Sequence, residues 1–371
     1  LKILIITPSY KPAYVYGGPI FSVSYLAEEL SKQNEVLVLC TTANGTTELD
    51  FPENIVNSID GVNVRFFKRQ TKDHSHFSFG LLKYLWNHGS EYDIVHIQSW
   101  WNLVALFSAL ICWTRNWKYV ITPRGMLSPY TYQNSIFKRL IHFCFGDMLL
   151  KKSVVHATAS DEAVKIEALN LKYNIQVAPN YVSINIPSIE RNINTIPQLL
   201  FLSRIHPKKG LDILIKSIKL LPMDVHLNIV GDGDLEYIDS LKRIANDIGV
   251  SDKITWHGSV YDQSKFAFYA NNDLMILPSH DENFANNVLE SLLLGTPVVI
   301  SENVGLAIFV KNNNLGWVFK GGEMQLADAI SKALNNSELR MIISHESRNI
   351  VLLEFDHTLL TEKYLAIYKN A

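Results

Sequence analysis

The feature that most constrains this chain is a set of short apolar runs, rich in Val and Ile, that recur along it with helical patterns between them. In the first half these runs are 2–7 (KILIIT), 35–40 (EVLVLC), 62–67 (VNVRFF), 93–98 (DIVHIQ), 118–123 (KYVITP), 153–158 (SVVHAT) and 175–179 (IQVAP). They read as strands covered on both faces. Strands that alternate with helices build a parallel, doubly wound sheet. The pattern stops over 180–198, a polar stretch marked by Pro187 and Pro197 that reads as an interdomain linker. It restarts with strands at 199–204, 225–231, 253–258, 274–279, 297–301 and 315–319, and the chain ends in helical patterns at 323–334 and 337–370. The expected fold class is therefore α/β, with two Rossmann-like domains and a cleft between them.

Bulk properties agree with two packed domains. A chain of 371 residues, 47% of them hydrophobic, is too long for one ordinary core. A formal net charge of −2 leaves no basic field that would make nucleic acid an expected partner. Cys40, Cys112 and Cys144 are too scattered to suggest a disulfide framework or a thiolate metal site. The sequence opens directly on a strand without a signal-peptide pattern, and its longest apolar run, 103–113, is short of a bilayer span. The expected localisation is cytoplasmic. The segment 133–153 is helical in pattern, rich in Phe, Leu and Ile, and carries Lys138, Arg139, Lys151 and Lys152. It reads either as a core-facing helix with a basic edge or as a helix lying on an anionic membrane.

Open α/β sheets bind ligands beyond the carboxyl ends of their strands, so the loops there hold the candidate site residues. After the strand 274–279 come Glu282 and Glu290, with Phe284, Ala285, Asn286 and Asn287 at a helix start between them. Free amides at such a start can meet a phosphate or a sugar hydroxyl. The glutamates are either a ligand site or two solvated helix acids. After 199–204 come Arg204 and, at the next helix, Lys209 beside Gly210. Two cations there can clamp a diphosphate, the arginine as a fork and the lysine as a point charge, or simply be solvated. Gly258 ends a strand where main chain can read a nucleobase. Gly17 and Gly18 precede a helix and either admit a phosphate or form a plain turn. Asp232 and Asp234 read as a glycine turn and a helix cap, not as metal ligands. In the first half, His96, Gln98, Trp100, Trp101 and Arg124 lie at strand ends and suit a sugar or an anionic acceptor; His96 reads equally well as a core histidine.

Taken in order, these elements resemble the retaining glycosyltransferases of family 4. The stretch from Glu282 to Glu290 resembles their E-x7-E element and FLSRIHPKKG their GR-x4-KG element. IVGDG, the GGP at 17–19 and VAPNYV resemble three further turns of the family. The likeness runs from residue 3 to about 365, closest in character to bacterial enzymes of O-antigen, capsule, lipopolysaccharide or exopolysaccharide assembly. It implies a GT-B fold: an acceptor domain over 1–184, a nucleotide-sugar domain over 196–353, and a helix from about 354 to 371 returning to the first. It implies that Arg204 and Lys209 hold the diphosphate of a UDP- or GDP-sugar, Glu290 the ribose, and Glu282 the transferred sugar. Gly18 would approach the distal phosphate, with no metal and no further cofactor. The chain departs from the family pattern at Ser203, Tyr181 and Ala285, where glycine is common, and at Arg124, where some members have histidine.

The function so implied is retaining transfer of a hexose-type sugar to a saccharide acceptor, with Glu282, Arg204 and Lys209 as its catalytic residues. An acceptor on undecaprenyl diphosphate would give 133–153 a peripheral membrane role. The alternatives are a nucleotide-sugar epimerase of the same fold and a nucleotide-sugar-binding protein without turnover. A nicotinamide enzyme would need a GxGxxG fingerprint, which the chain lacks.

Overall fold

The computed structural model describes every residue except 133–135, 171, 184–185, 188, 190–193 and 261. Much of the stretch read as a linker, and the start of the basic helical segment, therefore lie outside the described residues. The chain divides into one unit made of Leu1–Tyr181 with Asp356–Ala371 and a second made of Val182–Phe355.

The first unit contains β1 (Lys2–Ile6), β2 (Glu35–Thr41), the short pair β3 (Ala43–Asn44) and β4 (Thr47–Glu48), β5 (Val56–Ile59), β6 (Val62–Phe67), β7 (Ile94–Gln98), β8 (Tyr119–Thr122), β9 (Val154–Ala157) and β10 (Asn174–Val177). Its sheet runs β10-β9-β8-β7-β1-β2-β6-β5. Only β5 is antiparallel, zipped onto β6 at one edge. The second unit contains β11 (Gln198–Leu202), β12 (His226–Val230), β13 (Ile254–Gly258), β14 (Leu274–Leu277), β15 (Val298–Ser301) and β16 (Gly316–Phe319). These run β13-β12-β11-β14-β15-β16, all parallel.

The continuous apolar runs explain this arrangement. Ile3 to Ile6 and Leu274 to Leu277 are wholly buried, because helices cover both faces of each sheet. Helix starts are set by capping side chains. Asn102 accepts from the Ala105 amide at 2.8 Å and Asp234 from the Tyr237 amide at 3.0 Å. In each unit the strand order reverses once, between β1 and β7 and between β11 and β14. Loops diverge at such a reversal and leave a crevice at the carboxyl ends.

Three features differ from the sequence expectation. The edge strand β5 and the β3–β4 pair were not foreseen, because they are short and partly polar, and so lack the apolar run that marks an inner strand. The helical pattern 337–370 is two helices, Ser337–Glu354 and His357–Lys369. Asp356 accepts from the Leu359 amide at 3.0 Å and starts the second, while Phe355 packs edge-on against Phe284 and Phe309. The last helix belongs to the first unit, where Tyr364 donates to the Pro179 carbonyl at 3.1 Å and His357 pairs with Glu29 at 3.0 Å. Finally, the described residues of this region form short elements: Pro129–Tyr132, then Ile136–Ile141, a π-helical turn His142–Gly146, and Asp147–Lys151.

Candidate active site

The second unit brings most of the candidate residues to one place. Beyond β11 the chain bonds across to the β12 loop, with the Ile205 amide on the Asp232 carbonyl at 2.8 Å. This leaves Arg204 exposed, with no ion pair among the described residues. A single 3-10 turn, Pro207–Lys209, follows; it is capped by His206, whose Nδ1 accepts from the Lys208 amide at 3.1 Å. The loop after β14 lies alongside. The His280 amide donates to the Lys208 carbonyl at 2.8 Å, Lys208 pairs with Asp281 at 2.8 Å, and Lys209 pairs with Glu282. Two adjacent ion pairs thus join the loops on either side of the strand reversal. Burial, and then the Arg204, Lys208 and Lys209 cations, hold the His206 imidazole below its usual range. Three cations so close together make the local field positive, which suits a phosphate.

Glu282 is held from its far side as well. Its amide donates to the Asn303 carbonyl at 3.0 Å, and its carbonyl accepts from the Gly305 amide at 2.8 Å. The loop after β15 therefore fixes its backbone. The helix Asn286–Leu293 opens from Ala285, which takes a left-handed φ of 75°. Its first two residues have amides with no partner inside the helix, so Asn286 and Asn287 present backbone donors. Their side chains divide: Asn287 donates to the Leu202 carbonyl at 2.9 Å, whereas the Asn286 Oδ1 is buried and unpaired among the described residues. Phe284 turns inward against Phe355, so this position offers a ligand its main chain and not its ring.

One turn further on, Glu290 is buried. Its carboxylate accepts from Lys265 Nζ at 2.7 Å and from the Tyr269 hydroxyl at 3.0 Å. Burial and the Glu290 charge push the Tyr269 phenol well above its usual range, so it stays a donor. Ser347 and Arg348 of the long helix bond the Leu292 and Leu293 carbonyls at 2.6 and 3.1 Å and anchor the Glu290 helix from behind. Gly258 ends β13, exposed and open. Asp234 is spent as a helix cap, and the Asp232 side chain accepts from the Gly233 amide at 2.8 Å.

The first unit holds the remaining candidates. Gly17 and Gly18 start the helix Gly18–Ser31, with open space where a Cβ would stand at either residue. Arg124 follows β8 with a left-handed φ of 54°. Its guanidinium donates to Gln98 Oε1 at 2.9 Å, Ser22 Oγ at 2.7 Å and Asn180 Oδ1 at 3.2 Å. A left-handed non-glycine residue persists only where its surroundings over-determine it, and these three bonds do so. His96 is fully enclosed, between the Tyr368 hydroxyl at 2.8 Å and Thr122 Oγ1 at 2.6 Å, with Gln98 Nε2 3.0 Å away. It therefore supports Gln98 and Arg124 from beneath. Trp100 is equally enclosed, while Trp101 is partly exposed, anchored through its Nε1 on the Met126 carbonyl at 2.6 Å and stacked on Tyr132.

Comparison with known proteins now decides the family. Residues 16–185 match the model of Glycosyltransferase Family 4, and residues 185–350 that of Glycosyl transferases group 1. The chain belongs to the GT-B glycosyltransferases. A relative from Rhizobium meliloti, a lipopolysaccharide core biosynthesis glycosyltransferase, is 27% identical over 211 residues, 55% of this chain and 61% of the relative. An uncharacterised glycosyltransferase of Methanocaldococcus jannaschii is 25% identical over all of this chain and 98% of its own length. Among solved structures, Anabaena HepE in complex with UDP and glucose superposes with a TM-score of 0.77 at 18% identity, covering the whole of both chains. That likeness is one of fold.

In this glycosyltransferase, sequence reasoning missed the residues that work through a partner. Lys265 and Tyr269 lie 25 and 21 residues before Glu290 and meet it only through folding. Their spacing of four on one helix face was the available signal. Lys208, next to Lys209, is taken up by Asp281.

Proposed function

We propose that this chain transfers a hexose-type sugar from a UDP- or GDP-sugar to a saccharide acceptor, with retention at the anomeric carbon, in surface polysaccharide assembly. The observation that carries the reading is the joined pair of loops beyond β11 and β14, which sets Lys209 against Glu282, with Arg204 near His206 at the end of β11. The two E-x7-E acids then have separate tasks, Glu282 on the sugar hydroxyls and Glu290 on the ribose. Arg204 and Lys209 take the diphosphate, with the amides of Asn286 and Asn287 as further donors. The main chain at Gly258 faces the base, and Gly17–Gly18 is the phosphate-binding turn proposed for the first unit.

Chemically, the bond between the anomeric carbon and the diphosphate oxygen breaks as positive charge builds on the sugar. Lys209 and Arg204 stabilise the departing nucleoside diphosphate, and the Glu282 carboxylate lies near the charged sugar. The acceptor hydroxyl bonds to the same carbon from the same face, and its proton passes to a phosphate oxygen of the leaving group. This path uses no protein base and no metal. Arg124 and Trp101, with His96 and Trp100 behind them, mark the acceptor side. The lipopolysaccharide relative supports a surface-glycan acceptor; one carried on undecaprenyl diphosphate is the lipid-linked acceptor of this proposal. Such an acceptor would bring the enzyme to the inner face of the membrane through 133–153.

The test is a transfer assay with a panel of UDP- and GDP-sugars, preceded by a thermal-shift screen of the same donors. The expected outcome is one donor class that stabilises the protein and is turned over, with the anomeric configuration kept in the product by NMR. Glu282→Ala should fold normally and lose at least about a hundredfold in kcat, the scale of removing one electrostatic stabiliser. Near-normal turnover by that variant would refute the assignment.

A further inference from the structure

The loop after β6, residues 68–78, takes no part in the proposed chemistry. It closes on itself: the Gln70 amide donates to the Phe77 carbonyl at 2.7 Å, and the Phe77 amide to Thr71 Oγ1 at 3.0 Å. It also crosses the sheet. β2 and β1 separate β6 from β7, yet the Ser75 carbonyl accepts from the Leu103 amide at 2.8 Å, where the helix after β7 begins. The loop therefore runs over the carboxyl ends of β2 and β1 and reaches the crevice at the reversal between β1 and β7. Leu103 is two residues beyond Trp101, on the acceptor side.

This loop carries His76, which is left-handed at φ 51° and only 5% exposed. Its Nδ1 is enclosed and has no hydrogen-bond partner among the described residues. Both features cost stability, since an enclosed nitrogen without a partner forfeits its hydration and a left-handed side-chain residue needs support from its surroundings. The neighbours supply that support. Arg69 donates to the Gly45 and Thr47 carbonyls at 2.9 and 3.1 Å, and the Gly45 amide donates to the Tyr16 hydroxyl at 3.0 Å. The Tyr16 ring stands edge-on to the His76 ring, with centroids 5.6 Å apart. Loops after β1, β2 and β6 thus converge on an imidazole that is held by shape. Such a costly arrangement fits a group kept for a ligand. Burial and then the Arg69 charge bring His76 down to about 4, so its ring is neutral. A neutral ring nitrogen suits a hydroxyl, which donates or accepts as the tautomer requires. Tyr16 is partly exposed beside it and offers an aromatic surface.

We propose that His76, through Nε2, the ring nitrogen that is not enclosed, hydrogen-bonds a hydroxyl of the acceptor saccharide, with the Tyr16 ring against the apolar face of that sugar. This deepens the reading of a saccharide acceptor and rests on that reading for the sugar's role in transfer, though not for its binding.

The experiment has two arms. In the first, the full chain is titrated with the methyl glycosides of glucose, galactose, mannose and N-acetylglucosamine while its imidazole signals are followed by NMR. The His76 signals are assigned by their loss in His76→Phe. At least one glycoside should move them, and should bind His76→Phe about tenfold more weakly, the scale of one hydrogen bond. In the second arm that glycoside serves as acceptor. Its KM should rise about tenfold in His76→Phe and in His76→Asn, with the donor KM within about twofold of wild type. His76→Phe keeps a ring without nitrogens. His76→Asn is shorter but suits a left-handed backbone, so it should melt close to wild type and keeps the test independent of strain in the other variant. His76 signals that no glycoside moves, or an unchanged acceptor KM in both variants, would overturn the proposal. So would lower melting in both variants with donor and acceptor KM rising together, since His76 would then only hold the loop. Glycoside binding at His76 without transfer by any form of the protein would count against the proposed reaction and leave this site standing. Transfer with an unchanged acceptor KM in both variants would do the reverse.

Discussion

Replacing Gly210 by alanine puts a methyl carbon 2.2 Å from the Pro278 carbonyl oxygen and 3.1 Å from its carbon. Gly210 joins the Lys209 turn to the helix Leu211–Ile218 at φ +68°. Two costs therefore add. A Cβ in the left-handed region costs about 1–2 kcal/mol, of which about 0.4–1 is recovered because alanine restricts the unfolded chain. The contact is with backbone, not with a side chain that can swing away, so overpacking adds about 1–3 kcal/mol. Gly249→Ala supplies the control, since Gly249 has φ +73° and open space around its would-be Cβ. It should cost only the net left-handed penalty, about 1 kcal/mol. The difference between the two variants should be about 1–3 kcal/mol, or roughly 2–10 °C in melting temperature for a unit of this size. Urea unfolding followed through Trp256 and Trp317 would report it. Relief of the contact must push the 207–210 turn from the 278–282 loop, so Gly210→Ala should also weaken binding of UDP or GDP at least about tenfold by calorimetry, and Gly249→Ala should not. Equal stability losses in the two variants, with equal diphosphate affinity, would refute the argument that close packing of these loops builds the site.

Ala285→Gly removes a left-handed Cβ at the start of the Glu290 helix; relief of about 1–2 kcal/mol exceeds the entropic cost of glycine, so a rise of about 1–3 °C in melting temperature is expected, and a fall would show that Ala285 is not strained. Glu290→Gln leaves a group that can still bond Tyr269 but not balance Lys265; the donor KM should rise about tenfold with kcat nearly kept, read by steady-state kinetics, whereas an unchanged KM would remove Glu290 from the donor site. Burial holds His96 well below its usual range and brings His156 down to about 4, so both stay neutral in the fold. The unfolded chain takes up these protons from about pH 6.5 downward; stability of the first unit should therefore fall as pH drops from about 6.5 toward 4, by on the order of 1 kcal/mol per pH unit for each histidine, and flat urea midpoints across that range would contradict it.

Much of this protein can be read from local pattern. The inner strands announce themselves because a strand covered on both faces must be apolar at every position. The E-x7-E spacing placed Glu282 before a helix and Glu290 on it, and both lie there. The edge strand β5 and the separate short helices after Ile136 escaped, since each depends on what packs alongside, while the break at Phe355–Asp356 was given by the family likeness and not by local pattern.

What the sequence determined by itself was two doubly wound sheets and the residue types at their carboxyl ends. The hydrophobic effect needs only composition and period to set those. Tertiary structure alone decided which of these groups meet. The reversal of strand order between β11 and β14 brings Lys208 to Asp281 and Lys209 to Glu282, partners 73 residues apart. It likewise decided that His96 and Trp100 are enclosed, and that Ile136, Leu140, Phe143 and Phe145 are exposed. Distances between charges and exposure to solvent belong to the packed chain, and no local pattern encodes them.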